Sequence, residues 1–156
     1  MEMIADIKIS KFMERQILRN ITGNGSSVFA IRHSGTALVI GMQHYGTSAS
    51  SESVEGVRTP KKETYFVRII NKGEKKTYKI DARGITQIYS KNAKEYLWPD
   101  FWLIKYNARY FFMRMNDGES YFVIPRKALP AEADNELMTF LEDNYRDGMG
   151  RKLEKI

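Results

Sequence analysis

The chain has 156 residues, of which 42% are hydrophobic and 12% aromatic, and it carries a formal net charge of +6. This composition excludes a wholly disordered chain, and the length suits one domain, or one domain with appendages. Because there is no cysteine, a disulfide scaffold, a thiolate-bound metal site and a cysteine nucleophile are also excluded.

The sequence carries no recognisable targeting or membrane-spanning segment. Its first residues are neither basic nor followed by a long apolar run, so they do not form a secretory signal. No apolar run approaches the length of about 20 residues that a transmembrane helix needs. We therefore expect a cytoplasmic protein, and a small bacterial or phage protein would fit this description.

The positive charge is concentrated in the middle of the chain. Residues 57–127 carry a net charge of +9, residues 1–56 are neutral, residues 130–147 carry −5 and residues 148–156 carry +2. A surface divided in this way could steer an anionic partner to one face. The same lysines and arginines could instead be ordinary outward-facing residues that keep strands soluble.

The first third of the chain predicts a helix followed by a hairpin. Residues 10–22 place apolar side chains at helical spacing after Ser10, a suitable N-cap, and Gly23 ends the pattern. Residues 28–31 and 36–42 have the composition of two short strands. Residues 46–60 are rich in Gly, Ser, Thr and Glu, which is typical of a flexible loop.

The middle of the chain predicts an antiparallel meander. Short runs of β-branched and aromatic residues alternate with turn residues, and the runs cover residues 64–70, 76–80, 85–89, 95–98, 101–106, 109–115 and 120–124. The Asp117-Gly118 pair lies between two aromatic runs, which is a strong hairpin signal. Strands with such short, regular spacing favour a meander that closes on itself.

The end of the chain predicts an amphipathic helix. Pro130 precedes acidic residues of a first helical turn, and Leu137, Phe140 and Leu141 follow at helical spacing. The whole pattern indicates an α+β fold: a pleckstrin-homology-like (PH-like), partly closed antiparallel β-barrel capped by this helix, with an N-terminal helix and hairpin extension. The predicted divisions are an extension over 1–45, a loop over 46–60, a PH-like domain over 61–147 and a basic tail over 148–156.

Three segments of this pattern resemble a known family. Residues 78–85 form a strand with a glycine-hydrophobic turn, Trp98 is followed three positions later by Phe101, and the Ile-Pro-Arg-Lys segment 124–127 precedes the final helix. Together, residues 65–146 resemble the C-terminal domain of the YcxB-like family. Members usually carry two transmembrane helices before this domain, whereas residues 24–60 of this chain are polar. The resemblance implies a fold and carries over no catalytic residue.

Two histidines are the only candidates for imidazole acid–base catalysis. His33 and His44 flank the predicted N-terminal hairpin, and two histidines that face each other could act as base and acid on a phosphodiester. No carboxylate lies within a few residues to orient either ring, so both could equally be ordinary polar residues at strand ends. The sequence predicts no metal site and no cofactor.

Several basic and aromatic residues are candidates for binding a partner. Lys72, Lys75, Lys76 and Lys79 could form a basic face of the meander. Trp98 and Trp102 lie on either side of Pro99, and each could close one end of the barrel or stand exposed as an interface anchor.

Two further segments add to this set. Arg109 begins a run in which aromatic and arginine residues interleave, as in proteins that stack nucleic-acid bases. Arg126 and Lys127 could dock an acidic partner or a lipid headgroup.

These observations favour a non-catalytic binding or regulatory module. Such a module would engage a protein or another anionic partner through its basic β-face, and a peripheral contact with an anionic membrane is compatible with it. The alternative is a protein that binds nucleic acid or a nucleotide. A third hypothesis is a phosphoesterase that uses His33 and His44.

Overall fold

A computed structural model provides the structure, which describes residues 1–22, 29–33, 36–39, 65–145 and 150–156. The chain divides into two compact units, one formed by Met1–Ile17 with Ile69–Ile156 and the other by Leu18–Arg68. The predicted loop over 46–60 lies outside the described residues.

Strands outnumber helices in the described part of the chain. In chain order, its elements are β1 (Glu2–Ile9), α1 (Lys11–Thr22), β2 (Phe29–His33), β3 (Thr36–Val39), β4 (Tyr65–Ile69), β5 (Gly73–Asp81), β6 (Gly84–Ile88), β7 (Glu95–Leu97), β8 (Phe101–Tyr106), β9 (Tyr110–Met115), β10 (Ser120–Pro125), α2 (Ala131–Asn144) and β11 (Lys152–Lys155).

The first unit contains an antiparallel sheet in the order β1-β5-β6-β7. Every second side chain of β1 is buried, beginning at Met3, because successive residues of a strand point to opposite faces of the sheet. Glu2 pairs with Asp81 and Ile7 with Lys76, so β1 runs along most of β5. This register places Met3, Ala5, Ile7 and Ile9 in the core and leaves the charged side chains of β1, together with Ile4, on the outer face.

The same unit contains a second group of strands in the order β11-β8-β9-β10. β9 is antiparallel to both β8 and β10, whereas β11 is parallel to β8. Phe122 of β10 lies 5.0 Å from Tyr78 of β5 and 5.4 Å from Tyr96 of β7, measured between ring centroids. The two sheets therefore pack their buried faces against each other.

The side chain of Asn71 forms hydrogen bonds with the backbone in the middle of β10. Its amide Nδ2 donates to the Val123 carbonyl at 2.7 Å, and its Oδ1 accepts from the Val123 N–H at 3.0 Å. Asn71 is 1% exposed, so both bonds are shielded from water. Its side chain thus satisfies a backbone donor and acceptor that would otherwise be buried without partners.

Helix α2 covers one end of the core through Trp98. The Trp98 ring lies 5.1 Å from the Phe140 ring, and its indole Nε1 donates to the Asp81 carbonyl at 2.8 Å. The hydroxyl of Tyr145 donates to the Trp98 carbonyl at 2.7 Å. Pro99 falls in a 3₁₀ turn over Trp98–Asp100, where no strand partner needs its missing N–H.

The second unit is described through three short strands. β2 pairs antiparallel with β3, with His33 opposite Thr36, and parallel with β4, with Phe29 opposite Tyr65. β2 and β3 are the hairpin that the sequence predicts.

The α+β class and both predicted helices are confirmed. The N-cap of α1 is also confirmed, because the Ser10 hydroxyl accepts from the Met13 N–H at 3.2 Å. Barrel closure is corrected: in the part of the chain that the structure describes, the strands of the first unit form two sheets and neither closes into a barrel. Strand β1, which the sequence analysis does not predict, occupies the free edge of β5, and β11 falls in the predicted basic tail.

The paired hydrogen bonds of Asn71 generate a prediction about stability. We expect Asn71→Ala to lower the free energy of unfolding by about 2–4 kcal/mol, because it leaves a buried N–H and a buried C=O without partners. Urea titration followed by circular dichroism measures the change. The control is Asn92→Ala at an exposed turn, which should change stability by less than about 0.5 kcal/mol. Equal effects of the two variants would contradict the structural role of Asn71.

The buried hydroxyl of Tyr145 predicts a loss of stability in alkaline solution. Burial raises its pKa to about 12 from the usual 10.0, so between these values the unfolded chain has lost the proton and the folded chain retains it. Stability should therefore fall as pH rises through this window, by up to about 1.4 kcal/mol per pH unit for this one group. Tyr145→Phe should make the decline shallower, and an unchanged slope in alkaline urea titrations would contradict the assignment.

Candidate binding pocket

The start of α1 places an aromatic side chain at the surface of the first unit. Ser10 caps the helix immediately after β1 ends, so the first helical turn carries Phe12 and Met13. Phe12 is 69% exposed, which is unusual for a large apolar residue, and Met13 and Gln16 lie on the same side at helical spacing.

The turn between β8 and β9 is held in one conformation by Asn107. Its side-chain Oδ1 accepts from the N–H groups of Arg109 at 2.8 Å and Tyr110 at 2.9 Å. The Tyr110 hydroxyl donates to Gln16 Oε1 at 3.3 Å, which ties this turn to α1. Ala108 and Arg109 are consequently presented outward from a well-fixed backbone.

Arg126 joins the end of β10 to the same turn. Its backbone N–H donates to the Arg109 carbonyl at 2.8 Å, and its Nη1 donates to the Asn107 carbonyl at 3.0 Å. The guanidinium also forms two bonds to the Asp134 carboxylate, at 2.8 and 2.5 Å, and lies 4.9 Å from the centre of the Phe111 ring. The bond to Asp134 raises the pKa of Arg126, so this charge is permanent and already matched.

These three segments enclose a pocket of about 360 Å³ that lies wholly within the first unit. Its walls combine apolar side chains with two cations, and they are formed by Phe12, Met13, Gln16, Ala108, Arg109, Tyr110, Pro125 and Lys127.

The electrostatics of the pocket are set by Arg109 and Lys127. Both side chains are exposed, no carboxylate lines the pocket, and neither cation forms an ion pair with any residue that the structure describes. Burial raises the pKa of the Tyr110 hydroxyl, and the positive charge of Arg109 opposes this shift. Because the Tyr110 proton is retained, this hydroxyl adds no negative charge to a pocket whose two charged side chains are both cations.

The predicted basic face on β5 is matched by carboxylates of the same unit. Lys79 lies 3.2 Å from Glu2 and 3.5 Å from Asp81, and the other pairs are Lys72 with Glu14 at 3.4 Å and Lys75 with Asp6 at 4.0 Å. Lys76 donates to the backbone carbonyl of Lys72 at 3.4 Å. Carboxylates of β1 and α1, which lie far from β5 in the sequence, therefore neutralise much of this charge together with Asp81 of β5 itself.

The candidate aromatic anchors have different environments. Trp98 is 3% exposed and belongs to the core beneath α2. Trp102 is half-buried, with the Arg114 guanidinium 5.2 Å from its ring centre. The aromatic residues that follow Arg109 in β9, Tyr110 to Phe112, are all buried, so none of them offers a face on which a base could stack.

The two histidines are not brought together by the described part of the structure. The backbone of His33 lies at the end of β2, whereas His44 is outside the described residues. The catalytic hypothesis therefore stays a prediction.

The comparisons with known proteins bear on the first unit. The first unit has an α+β fold with two packed sheets, a C-terminal helix and a surface pocket that is lined in part by cations. Residues 80–141, which run from the end of β5 into α2, match the family model described as YcxB-like protein. This match confirms the predicted resemblance to the family, over residues 80–141 of the predicted 65–146. No curated protein and no solved structure matches the chain. Among the described helices, none is both long enough and apolar enough to cross a membrane.

Sequence reasoning finds the two cations of the pocket and misses its apolar wall. Arg109 and Lys127 are predicted binding residues and lie together in the pocket. Phe12 and Met13 lie in a short helix that also contains three arginines or lysines, and no local signal marks them as part of a site, because singly exposed apolar residues are common. Nothing in the local sequence indicates that this helix approaches residues 108–110.

The neighbouring residues Arg126 and Lys127 provide a matched test of the pocket frame. We expect Arg126→Lys to lower the free energy of unfolding by about 1–3 kcal/mol, because an ammonium cannot form the paired bonds that the planar guanidinium makes with Asp134. Lys127→Gln, at the exposed neighbour, should change stability by less than about 0.5 kcal/mol. Thermal unfolding measures both variants. An unchanged stability of Arg126→Lys would contradict the role of Arg126 in holding the backbone around the pocket.

Proposed function

We propose that the first unit is a PH-like binding module without catalytic activity. The order of its elements supports the fold: four antiparallel strands β1, β5, β6 and β7, then the antiparallel strands β8, β9 and β10, and then the closing helix α2. In this interpretation residues 18–68 are an insertion between the first and second strands of the module. The YcxB-like match over residues 80–141 falls within the same unit.

The pocket between α1 and the β8–β9 turn is the proposed binding site. The observation that carries this proposal is the contrast between cations. Lys72, Lys75 and Lys79 lie beside carboxylates. Arg109 and Lys127 have no anionic partner among the described residues and line the same pocket as the exposed Phe12. An exposed aromatic residue next to available cations is the composition of an interaction hot spot.

The chemistry of the walls defines the partner. A carboxylate or another anionic group would accept hydrogen bonds from Arg109 and Lys127, and an apolar side chain next to it would contact Phe12 and Met13. A pocket of about 360 Å³ accommodates one or two side chains rather than a folded surface. The proposed ligand is therefore a short protein segment in which an acidic residue stands beside an aromatic or aliphatic residue.

Selection from a random peptide library displayed on phage, followed by calorimetric titration of the selected peptides, tests this function. We expect the selected peptides to combine an acidic residue with a large apolar residue. Arg109→Ala should weaken their binding roughly tenfold or more, because it removes a charged hydrogen bond. Phe12→Ala should also weaken binding, with little loss of stability since this side chain is already exposed.

Arg83→Ala is the matched control, because Arg83 is an exposed arginine in the turn between β5 and β6 and does not line the pocket. It should leave peptide affinity unchanged. The proposal is wrong if the selected peptides bind Arg109→Ala and Phe12→Ala as tightly as they bind the unaltered protein.

A further inference from the structure

Tyr89, directly after β6, has a backbone conformation that tyrosine rarely adopts. Its φ angle is 60°, in the left-handed region that suits glycine or asparagine. Its side chain is 90% exposed, the most exposed large apolar or aromatic residue of the described chain. Neither backbone preference nor packing accounts for a tyrosine at this position. Strained residues of this kind concentrate where the side chain serves a partner.

The residues around Tyr89 form an exposed, basic hairpin tip, which comprises residues 89–94. All six are exposed, and the tip includes Lys91 and Lys94 and no acidic residue. The backbone bond from the Gln87 N–H to the Lys94 carbonyl, at 2.8 Å, closes the loop. The tip is therefore a convex, ordered projection with an aromatic side chain and two cations.

The start of β5 adds further positive charge beside the hairpin tip. Thr77 pairs with Ile88, so Lys76 precedes this pair on β5 at the end of the sheet where Tyr89 leaves β6. Lys75 comes before Lys76 and lies 4.0 Å from the Asp6 carboxylate. Glu74 is the one acidic residue between Gly73 and Lys76. At the opposite end of the sheet, Glu2 pairs with Asp81, and Lys79 lies beside both carboxylates.

We propose that the hairpin tip docks the protein on the surface of an anionic lipid bilayer. Tyrosine is enriched at membrane interfaces, where its ring lies among the apolar chains and its hydroxyl stays hydrated. Lysines close to a negatively charged leaflet add attraction that depends on salt concentration. A convex tip can reach a planar surface without any groove.

The remainder of the sheet favours a bilayer over a nucleic acid. A nucleic-acid strand that lay along the outer face would meet the carboxylates of Glu2, Asp6 and Asp81, which repel phosphate. Proteins that bind single strands use a continuous basic groove with successive aromatic platforms. The tip offers one aromatic residue at one end of the sheet. A partner therefore makes a favourable contact only where it meets that end of the sheet.

This surface is separate from the proposed peptide pocket. The pocket residues come from α1, the β8–β9 turn and the end of β10, and no residue of the hairpin tip lines it. Bilayer docking can therefore be tested without reference to a peptide ligand, and variants of one site serve as controls for the other.

Cosedimentation of the full chain with vesicles tests the proposal. The protein should bind vesicles of phosphatidylcholine with roughly one third phosphatidylserine, and not pure phosphatidylcholine, with binding weakened by salt. Lys91→Ala with Lys94→Ala should lower the partition coefficient roughly 25-fold, at about fivefold for each lysine. Tyr89→Gly should lower it further while keeping the fold, because glycine suits the left-handed backbone.

Two control variants and one fluorescent variant sharpen the test. Ile4→Ala removes an exposed apolar side chain from the outer face, and Lys127→Ala removes a pocket cation, so neither should change partitioning. Tyr89→Trp should show a blue-shifted emission on binding vesicles, because the indole would enter an apolar environment. In a parallel experiment, a single-stranded oligonucleotide is added to the unaltered protein as a competitor of the vesicles.

Absence of binding to phosphatidylserine vesicles at low salt would refute the proposal, as would binding that survives both the double lysine variant and Tyr89→Gly. Tight oligonucleotide binding that is lost in these variants, without vesicle binding, would assign the tip to nucleic acid instead. Peptide binding in the pocket should be unaffected throughout, so failure of bilayer docking leaves the proposed function standing.

Discussion

The pairing of β1 with β5 sets the positions of the charged side chains of β1 and of the start of α1, which follows it. It buries one face of β1 and sets Glu2 and Asp6 near the lysines of β5. Since side chains alternate between the two faces of a strand, a shift of one residue would expose the apolar set and bury the acids. Ser10 and α1 follow β1 directly, so the same register decides where Phe12 meets the β8–β9 turn.

This pairing also changes the meaning of the net charge. Residues 57–127 carry +9, which suggests a broad basic face, but Lys72, Lys75 and Lys79 lie beside carboxylates contributed by α1, β1 and β5. Exposed ion pairs of this kind add little stability. Their larger effect is to cancel the field over the outer face of the sheet. Among the described residues, the places where positive charge has no carboxylate partner include the pocket with Arg109 and Lys127 and the hairpin tip with Lys91 and Lys94.

Elements whose signals are local could be predicted from the sequence. β8, β9 and β10 follow from dense β-branched and aromatic runs and from the Asp117-Gly118 turn, and α2 follows from helical spacing after Pro130. β1 also alternates apolar and polar residues, yet its partner begins more than 60 residues later, and short-range patterns do not report such pairings. The pocket was unpredictable for the same reason, because its walls meet only after the sheets have packed. The PH-like arrangement and the binding roles stay proposals.

Arg126 and Lys127 show why a basic motif cannot be interpreted by charge alone. Both belong to the Ile-Pro-Arg-Lys segment, but the guanidinium of Arg126 bonds to Asp134 and to the Asn107 carbonyl, whereas the ammonium of Lys127 stays at the surface. A planar group with several fixed donors can hold a carboxylate and a carbonyl at once, which a single ammonium on a flexible stem does poorly. Arg126 therefore holds the backbone next to the pocket, whereas Lys127 lines the pocket itself. Because Asn107 and Arg126 fix the backbone on which Arg109 and Lys127 are mounted, a ligand has to order only the side-chain ends, and this lowers the entropic cost of binding.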